Sequence, residues 1–216
     1  MIRHARERAE RIFYVMQSLG PRAFLRLLGS MLFSVNHYYL VGLNLAAPLK
    51  HPLAITPKGS ITPVTAEDME QITRYLPSLD PEDRRELLSR LFFYQSGFSN
   101  CYLMRQADDV AYLQWMISAA ENPVIEQSFS AKYYPLKVKQ VMIENAFTFP
   151  RYRGRGYFLA GTMQLLELAK NNGYTAAISY IRKDRISPLN EFTQMGFKVI
   201  KMVTEYKLLG KAWRTL

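Results

Sequence analysis

The segment Arg151-Tyr152-Arg153-Gly154-Arg155-Gly156-Tyr157 constrains the fold most, because an apolar run precedes it and an amphipathic run follows it. Two glycines separated by one residue let the backbone pass close to a ligand with its amide groups turned outward. A helix that begins directly after them adds the positive end of its dipole. The segment therefore predicts a strand, a glycine loop and a helix in series, and its arginines favour a pyrophosphate ligand.

The composition of the 216-residue chain fits one large domain, or one domain with an extension. A formal net charge of +10 favours an anionic partner: nucleic acid, anionic lipid, an acidic carrier protein or a phosphorylated cofactor. The single cysteine, Cys101, excludes an internal disulfide and a cysteine-rich zinc site, and we expect a buried thiol there. The three histidines lack metal-ligand spacing, so we expect no metal.

The cellular location is expected to be the cytoplasm, with membrane association as an alternative. No signal peptide is evident at the N-terminus. The apolar stretch from Met31 to Leu45 is broken by polar residues and falls short of a membrane-spanning helix.

Residues 1–35 are predicted to form two short amphipathic helices that are separated by Gly20-Pro21. The first helix has an apolar stripe at helical spacing, with arginines on its other side: Ile12, Val15, Met16, Leu19. The second repeats the stripe: Phe24, Leu25, Leu27, Leu28. We expect this basic segment to pack on the main domain, while a dimer contact or an anionic membrane surface is the alternative.

A domain boundary is predicted near residue 55, within a segment at 48–60 that is rich in proline. Residues 1–55 would then comprise the helical extension and one strand, Tyr38 to Leu45, and residues 56–216 the main domain. The main domain alternates strands and helices, which predicts an α/β or α+β fold around one central sheet. Its predicted elements are a strand at 61–64, helices after Thr65 and Asp80, strands at 102–104 and 110–117, a loop at 119–137, a strand at 138–149, a helix ending at Gly173, a strand at 175–181, a helix at 188–195 and an extended run at 197–209.

The order of these elements, together with Arg151-x-x-Gly154-x-Gly156, resembles the GNAT superfamily of acyl-coenzyme A-dependent N-acyltransferases. The family's phosphate-binding pattern is Gln or Arg, two residues, Gly, one residue, and Gly or Ala. Met195-Gly196-Phe197 is similar to the family's turn before its last strands, and Ile61 to Asp68 to its opening. The resemblance covers residues 61–210. It implies a mixed, mostly antiparallel sheet flanked by helices, with acetyl-CoA or another acyl-CoA as acyl donor and an amine as acceptor.

The resemblance also implies which residues contact the cofactor. The glycine loop would hold the pyrophosphate, and the preceding strand would hold the pantetheine arm. The family commonly has an asparagine just after the strand at 175–181; here Arg185 stands at its likeliest position, and Ser187 and Asn190 nearby would complete the contacts. The expected contacts are Phe147, Thr148, Phe149, Arg151, Arg153, Gly154, Arg155, Gly156, Tyr157, Ser187 and Asn190. An amine acceptor must lose a proton, and Glu144 is the candidate base, with Asp184 as a second candidate.

The proton donor for the leaving thiolate departs from the family pattern. Four residues before Gly196, where the family often has a tyrosine, this chain has Phe192. Water, Tyr180 or Tyr157 would then protonate the thiolate, or the activity is altered.

Three alternatives remain open at the level of sequence. An acyl carrier protein would replace acyl-CoA as donor, since its acidic surface suits a basic chain. A GNAT-like domain that binds acyl-CoA without chemistry would serve as a regulatory or scaffold domain. A nucleic-acid binder using arginine, glycine and aromatic residues is disfavoured, because one such motif inside a packed domain differs from repeated arginine–glycine tracts.

Overall fold

A computed structural model of the chain describes residues 33–50, 59–209 and 211–215. Within these residues lies one eight-stranded sheet in the order β2-β3-β4-β5-β6-β1-β7-β8. Its strands are β1 Phe33–Asn44, β2 Thr62–Pro63, β3 Cys101–Gln106, β4 Asp109–Ile117, β5 Gln140–Thr148, β6 Ala176–Arg182, β7 Lys198–Leu208 and β8 Lys211–Thr215. Neighbouring strands are antiparallel except β5 and β6, which are parallel. The predicted mixed, mostly antiparallel sheet is confirmed.

The principal helices begin and end where local sequence signals place them. They are α1 Ala66–Arg74, α2 Pro81–Gln95, α3 Tyr157–Asn171 and α4 Ile186–Gln194. Thr65 caps α1 in a reciprocal capping box with Asp68. Asp80 caps α2 by accepting hydrogen bonds from the amides of residues 82 and 83. Among the helices described, none is long and apolar enough to cross a bilayer.

The helices cover both faces of the sheet and create two hydrophobic clusters. One cluster packs α1 and α2 against the sheet through buried residues such as Ile72, Leu87 and Leu91. The other packs α3 and α4 against the opposite face, with Leu166 and Phe192 among its members. The loop between β5 and α3 leaves the end of an interior strand and leads into the helical layer of α3.

Strand β1 lies in the interior of the sheet, between β6 and β7. It begins at Phe33, so the helical prediction was wrong for residues 33–35. The reason is non-local, because pairing with β7 over this stretch decides the conformation. The predicted helices at 1–32 lie outside the described residues. So does the predicted boundary near residue 55, which stays a prediction, although β1 itself shares the sheet of the main domain.

Strands β5 and β6 pair only over their first residues and then diverge. Gln140, Val141 and Met142 pair with the start of β6, and no partner in β6 follows for the later residues of β5. A bulge helps β5 to turn away, since its register with β4 shifts between Leu113 and Trp115. Asn145, inside this bulge, has a left-handed φ of 55°. The two parallel strands therefore open into a wedge.

A close packing contact at Gly161 fixes α3 against β4. A Cβ at this position would lie 2.3 Å from the ring of Tyr112, which is buried. The Tyr112 hydroxyl donates to Gln114 at 2.6 Å, so its ring cannot move aside without losing that bond. Only glycine therefore lets α3 approach the sheet at this distance.

We predict that Gly161→Ala lowers the free energy of unfolding by about 1–3 kcal/mol, as overpacking of a core does. In an exposed helix the same change stabilises by about 1 kcal/mol, so the sign of the effect is the test. Urea denaturation of the two proteins measures it. A stabilised variant would contradict the packing described here.

Candidate functional site

The loop between β5 and α3 has the backbone of an anion site. Gly154 and Gly156 have left-handed φ values of 71° and 79°. Gly156 is the N-cap of α3, and no side chain caps this helix. The amide groups of the first turn are therefore free for another acceptor, and the helix dipole favours an anion there.

This loop borders a cleft of about 740 Å³ between α2, β5 and the N-terminal ends of α3 and α4. The cleft has one wall from α2 and its cap and another from the loop and α4. Its lining residues are Asp80, Glu82, Asp83, Glu86, Ala146, Phe147, Thr148, Tyr152, Arg153, Gly154, Gly156, Tyr157, Phe158, Leu159, Arg185, Ser187, Pro188 and Glu191. Seven of the eleven predicted cofactor contacts lie among them: Phe147, Thr148, Arg153, Gly154, Gly156, Tyr157 and Ser187.

Of the three loop arginines, Arg153 alone lines the cleft. Its guanidinium forms two hydrogen bonds with the buried carboxylate of Asp83, one of them at 3.0 Å, and its Nε donates to the Thr148 carbonyl at 3.2 Å. Arg151 is paired with Asp109 at 3.0 Å, and Arg155 lies 5.8 Å from the ring centroid of Tyr152. Arg153 thus ties the loop to α2 across the cleft.

Near the end of β5, two backbone carbonyl groups accept hydrogen bonds from arginine side chains. Arg90 of α2 donates to the Ala146 carbonyl at 3.2 Å, and Arg153 donates to that of Thr148. Both guanidinium groups lie 5.9 Å from the ring centroid of Phe147, which separates them. A pantetheine arm bound along this strand would meet these arginines.

Glu144 lies at the base of the wedge, only 5% exposed, with four donors around its carboxylate. Oε1 accepts from the Tyr180 amide at 2.6 Å and from the Ser179 hydroxyl at 3.3 Å. Oε2 accepts from the Tyr133 hydroxyl at 2.9 Å and from Lys132 Nζ at 3.4 Å. Glu144 does not line the cleft. Its geometry is that of a buried structural acceptor, and its role as base stays a prediction.

Aromatic rings enclose this carboxylate on the α2 side of the sheet. Burial, reinforced by the charge of Glu144, raises the pKa of Tyr133 well above its usual value. Burial raises the pKa of Tyr180 to about 12, and its hydroxyl accepts a hydrogen bond from the Tyr134 amide at 3.0 Å. Both phenols are therefore protonated at neutral pH, so Tyr180 retains a proton that it can donate.

The other predicted site residues are distributed as follows. Asp184 lies on the surface in an ion pair with Arg182, at 2.7 Å, and outside the cleft lining. Phe149 is buried against Tyr75 and Phe147. Asn190 is also outside the cleft lining.

Tyr157 lines the cleft but its hydroxyl is bonded elsewhere, and Phe192 has no proton to donate. The Tyr157 hydroxyl donates to Gln106 at 2.6 Å, on the β3–β4 hairpin. Phe192 is 3% exposed and its ring contacts those of Phe158 and Phe197. Phe192 is therefore a core residue of α4, and replacing the family tyrosine removes a polar group from an apolar cluster.

The carboxylates that line the two walls of the cleft were missed at the sequence level. The pKa of Glu191 is raised by burial, and the Ser187 hydroxyl donates to it at 3.3 Å. Burial also disfavours the charge of Glu86, but Arg90 and Arg185 overcome this effect and hold the pKa of Glu86 below its usual value. The acids of α2 follow its N-cap, so sequence reasoning assigned them to the helix dipole alone. In the described part of the chain, no cluster of ligands suits a metal ion.

We predict that Glu144→Gln and Glu191→Gln change stability in opposite directions. An amide at position 144 would turn its N–H donors toward the donors that now surround the carboxylate, such as Lys132. We therefore expect the free energy of unfolding to fall by about 1–3 kcal/mol. The raised pKa of Glu191 means that its ionised form weakens the fold, and stability falls as pH rises from the usual glutamate range to the folded pKa. Glu191→Gln should remove this decrease of stability with rising pH. Urea midpoints at acidic and neutral pH measure both variants, and equal losses would contradict these environments.

No protein-family model and no curated protein match the sequence. Solved structures do match the fold. A GNAT-family acetyltransferase structure from Novosphingobium aromaticivorans aligns with 79% of this chain at a TM-score of 0.52 and 15% identity. The glucosamine N-acetyltransferase region of a fungal multi-domain β-N-acetylglucosaminidase aligns with 89%, at a TM-score of 0.58 and 14% identity. A GCN5-related N-acetyltransferase from Sphaerobacter thermophilus aligns with 88% of this chain, at a TM-score of 0.53 and 14% identity.

The chain spans 63%, 22% and 57% of the lengths of these three proteins, respectively. What these structures share with this chain is the fold. The chain therefore has the GNAT fold.

Proposed function

We propose that this chain is an acyl-CoA-dependent N-acyltransferase, which transfers an acetyl or longer acyl group to an amine. The observation that carries the proposal is the loop with left-handed Gly154 and Gly156, which opens the uncapped end of α3 beside the cleft. The names of the structural neighbours, which are acetyltransferases, support the same reaction class.

The residues present fit the phosphate end of acyl-CoA. Free amide groups and a helix N-terminus suit a pyrophosphate. Arg153 supplies a guanidinium that now holds the Asp83 carboxylate through two hydrogen bonds. A phosphate accepts the same paired geometry. In the proposed complex Arg153 therefore exchanges Asp83 for the pyrophosphate, which also frees the Thr148 carbonyl for the pantetheine arm.

The reaction requires that a neutral amine attack the thioester carbonyl. A new C–N bond forms, the C–S bond breaks, the amine loses a proton and the thiolate gains one. Backbone amides of β5 would stabilise the oxyanion. Glu144, through water, remains the candidate base, and Tyr180, with its retained proton, the candidate acid.

The proposed acceptor class rests on the carboxylates that line both walls of the cleft. Asp80, Glu82 and Glu191 face the cleft although the chain as a whole is basic. Carboxylates favour a protonated amine over an acidic acceptor, because opposite charges attract in a partly closed site. We therefore propose a cationic amine as acceptor, while a carrier protein as acyl donor is a separate variant of the proposal.

Acyl-CoA should stabilise the protein by mass action. We expect about 2.7 kcal/mol at a hundredfold excess over Kd, seen as a higher melting temperature with CoA, acetyl-CoA or a longer acyl-CoA. Gly154→Asp should abolish the shift, because aspartate tolerates the left-handed conformation while its charge repels the pyrophosphate. Differential scanning fluorimetry with each ligand measures the effect.

Gly173→Asp is the matched control for this experiment. Gly173 has a left-handed φ of 80° at the other end of α3, and like Gly154 it has no atom within 4 Å of an added Cβ. The control should keep the full ligand shift. An absence of any shift in the parent protein, at saturating CoA and acyl-CoA, would refute the proposal.

A second candidate function is acyl-CoA binding without chemistry, which the burial of Phe192 in place of a family tyrosine favours. The two functions differ in turnover. We expect the parent protein to release free CoA thiol from acetyl-CoA in the presence of a short polyamine, as measured with a thiol reagent. Ligand-induced stabilisation without thiol release, across a panel of amines, would support the binding function instead.

A further inference from the structure

One face of the sheet has an apolar surface that no element covers within the part of the chain that the structure describes. We define the β1/β7/β8 face as three cross-strand rows: Phe33, Leu208 and Lys211; Val35, Tyr206 and Trp213; His37, Thr204 and Thr215. Met202 continues it beside Tyr39. This face is on the side of α3 and α4 but extends beyond α4.

The exposure of this face is high for such large apolar side chains. Phe33 is 63% exposed, Met202 50%, Trp213 45%, Leu208 44% and Val35 38%. The rings of Tyr206 and Trp213 stack with centroids 5.8 Å apart, so the middle row is a flat aromatic surface. Lys211 is the single charged residue in the three rows. A contiguous apolar surface of this kind marks an interaction site.

The opposite face of the same strands is already covered. Lys201 donates to the Tyr134 hydroxyl at 3.0 Å, and Arg214 donates to the carbonyls of Ser130 and Tyr133. Asn36 donates to Glu205 at 3.0 Å within the sheet. The loop before β5 therefore closes one side of these strands, and the β1/β7/β8 face is the side that remains.

We propose that the segment 1–32 of this same chain packs on the β1/β7/β8 face through its apolar stripes. The chain enters the sheet at Phe33, which belongs to the face itself. Four residues, Gly29 to Leu32, separate Leu28 at the end of the second stripe from Phe33. Helix-to-strand connections of about 2–6 residues are usual, so a helix that ends near Leu28 would lie close to the start of β1. Gly29 suits the end of a helix.

The dimensions and charges of the two surfaces also agree. A helix is about 10 Å in diameter. Three strands span about 10 Å between the outer strand axes. One helix therefore covers the width of the face. The arginines at 3, 6 and 11 lie away from the stripe and would stay in water, while the stripe meets the large apolar residues of the face. Tethering by a short connection gives this contact a high effective concentration, which a separate partner lacks.

The two tryptophans of the chain provide the test. Trp115 is 1% exposed and Trp213 lies in the centre of the face, so acrylamide quenching of the full chain reports on Trp213. We expect Trp213 to be protected in the parent protein. Val15→Asp with Leu19→Asp puts two charges on the stripe and should raise the quenching constant several-fold. Trp213→Phe identifies the quenchable signal.

Gln17→Asp with Ser18→Asp is the matched control, because it adds the same charge to the same segment outside the stripe. It should leave Trp213 protected and the protein monomeric in sedimentation. Equal quenching in the parent and the stripe variant would overturn the proposal. So would protection lost on dilution together with a dimer, or protection gained only with phosphatidylglycerol vesicles, since these results identify a second copy or a lipid surface as the occupant.

A stability measurement tests the contact from the side of the sheet. Met202→Asp should lower the urea midpoint in the parent, and its effect should largely disappear in the stripe variant, because contacting residues are not additive. Val138→Asp, at a position that is 85% exposed and lies outside the face, should leave the urea midpoint unchanged in both the parent and the stripe variant. Additive effects of Met202→Asp and the stripe substitutions would overturn the proposal.

Discussion

The architecture of the cleft depends on the Glu144 carboxylate at the point where β5 and β6 part. Beyond Met142 the parallel strands no longer pair, so the Tyr180 amide donates to this carboxylate instead of a strand carbonyl. A buried carboxylate is costly unless donors surround it. Here Lys132 and Tyr133 complete the set from the loop before β5. One side chain thus holds two strands and a loop in the arrangement that keeps the wedge open.

Charged pairs shape the cleft beside this wedge. Arg153 and Arg90 reach from the loop and from α2 to neighbouring carbonyls of β5, on either side of Phe147. Asp83 and Glu86 balance these cations. The cleft is therefore lined by groups that already satisfy one another. In the proposed complex, a phosphorylated ligand would replace a carboxylate partner of Arg153 rather than fill an apolar hole.

Sequence reasoning succeeded where the determining contacts are local. The caps Thr65 and Asp80, the glycine loop and Gly173 act within a few residues, so the predicted element starts and ends agree with the structure. Sequence reasoning failed where contacts with residues distant in the chain determine the local conformation. Residues 33–35 follow their pairing with β7, and β8 lies beyond the predicted extended run at 197–209. The four donors to Glu144 and the grouping of carboxylates along the cleft likewise depend on tertiary contacts that no local pattern contains.

The position of β1 has a consequence for how the chain folds. Its residues hydrogen-bond to partners such as Glu205, which lies 169 residues away from Asn36. Contacts this distant form slowly, because the intervening chain must first be brought together. During synthesis β1 leaves the ribosome long before β6 and β7 exist. Until it joins them, both of those strands have open edges that the β1 of another molecule could equally pair with. The first described strand can thus join the sheet only after β6 and β7 exist, and strand exchange between copies is the error we expect of this topology.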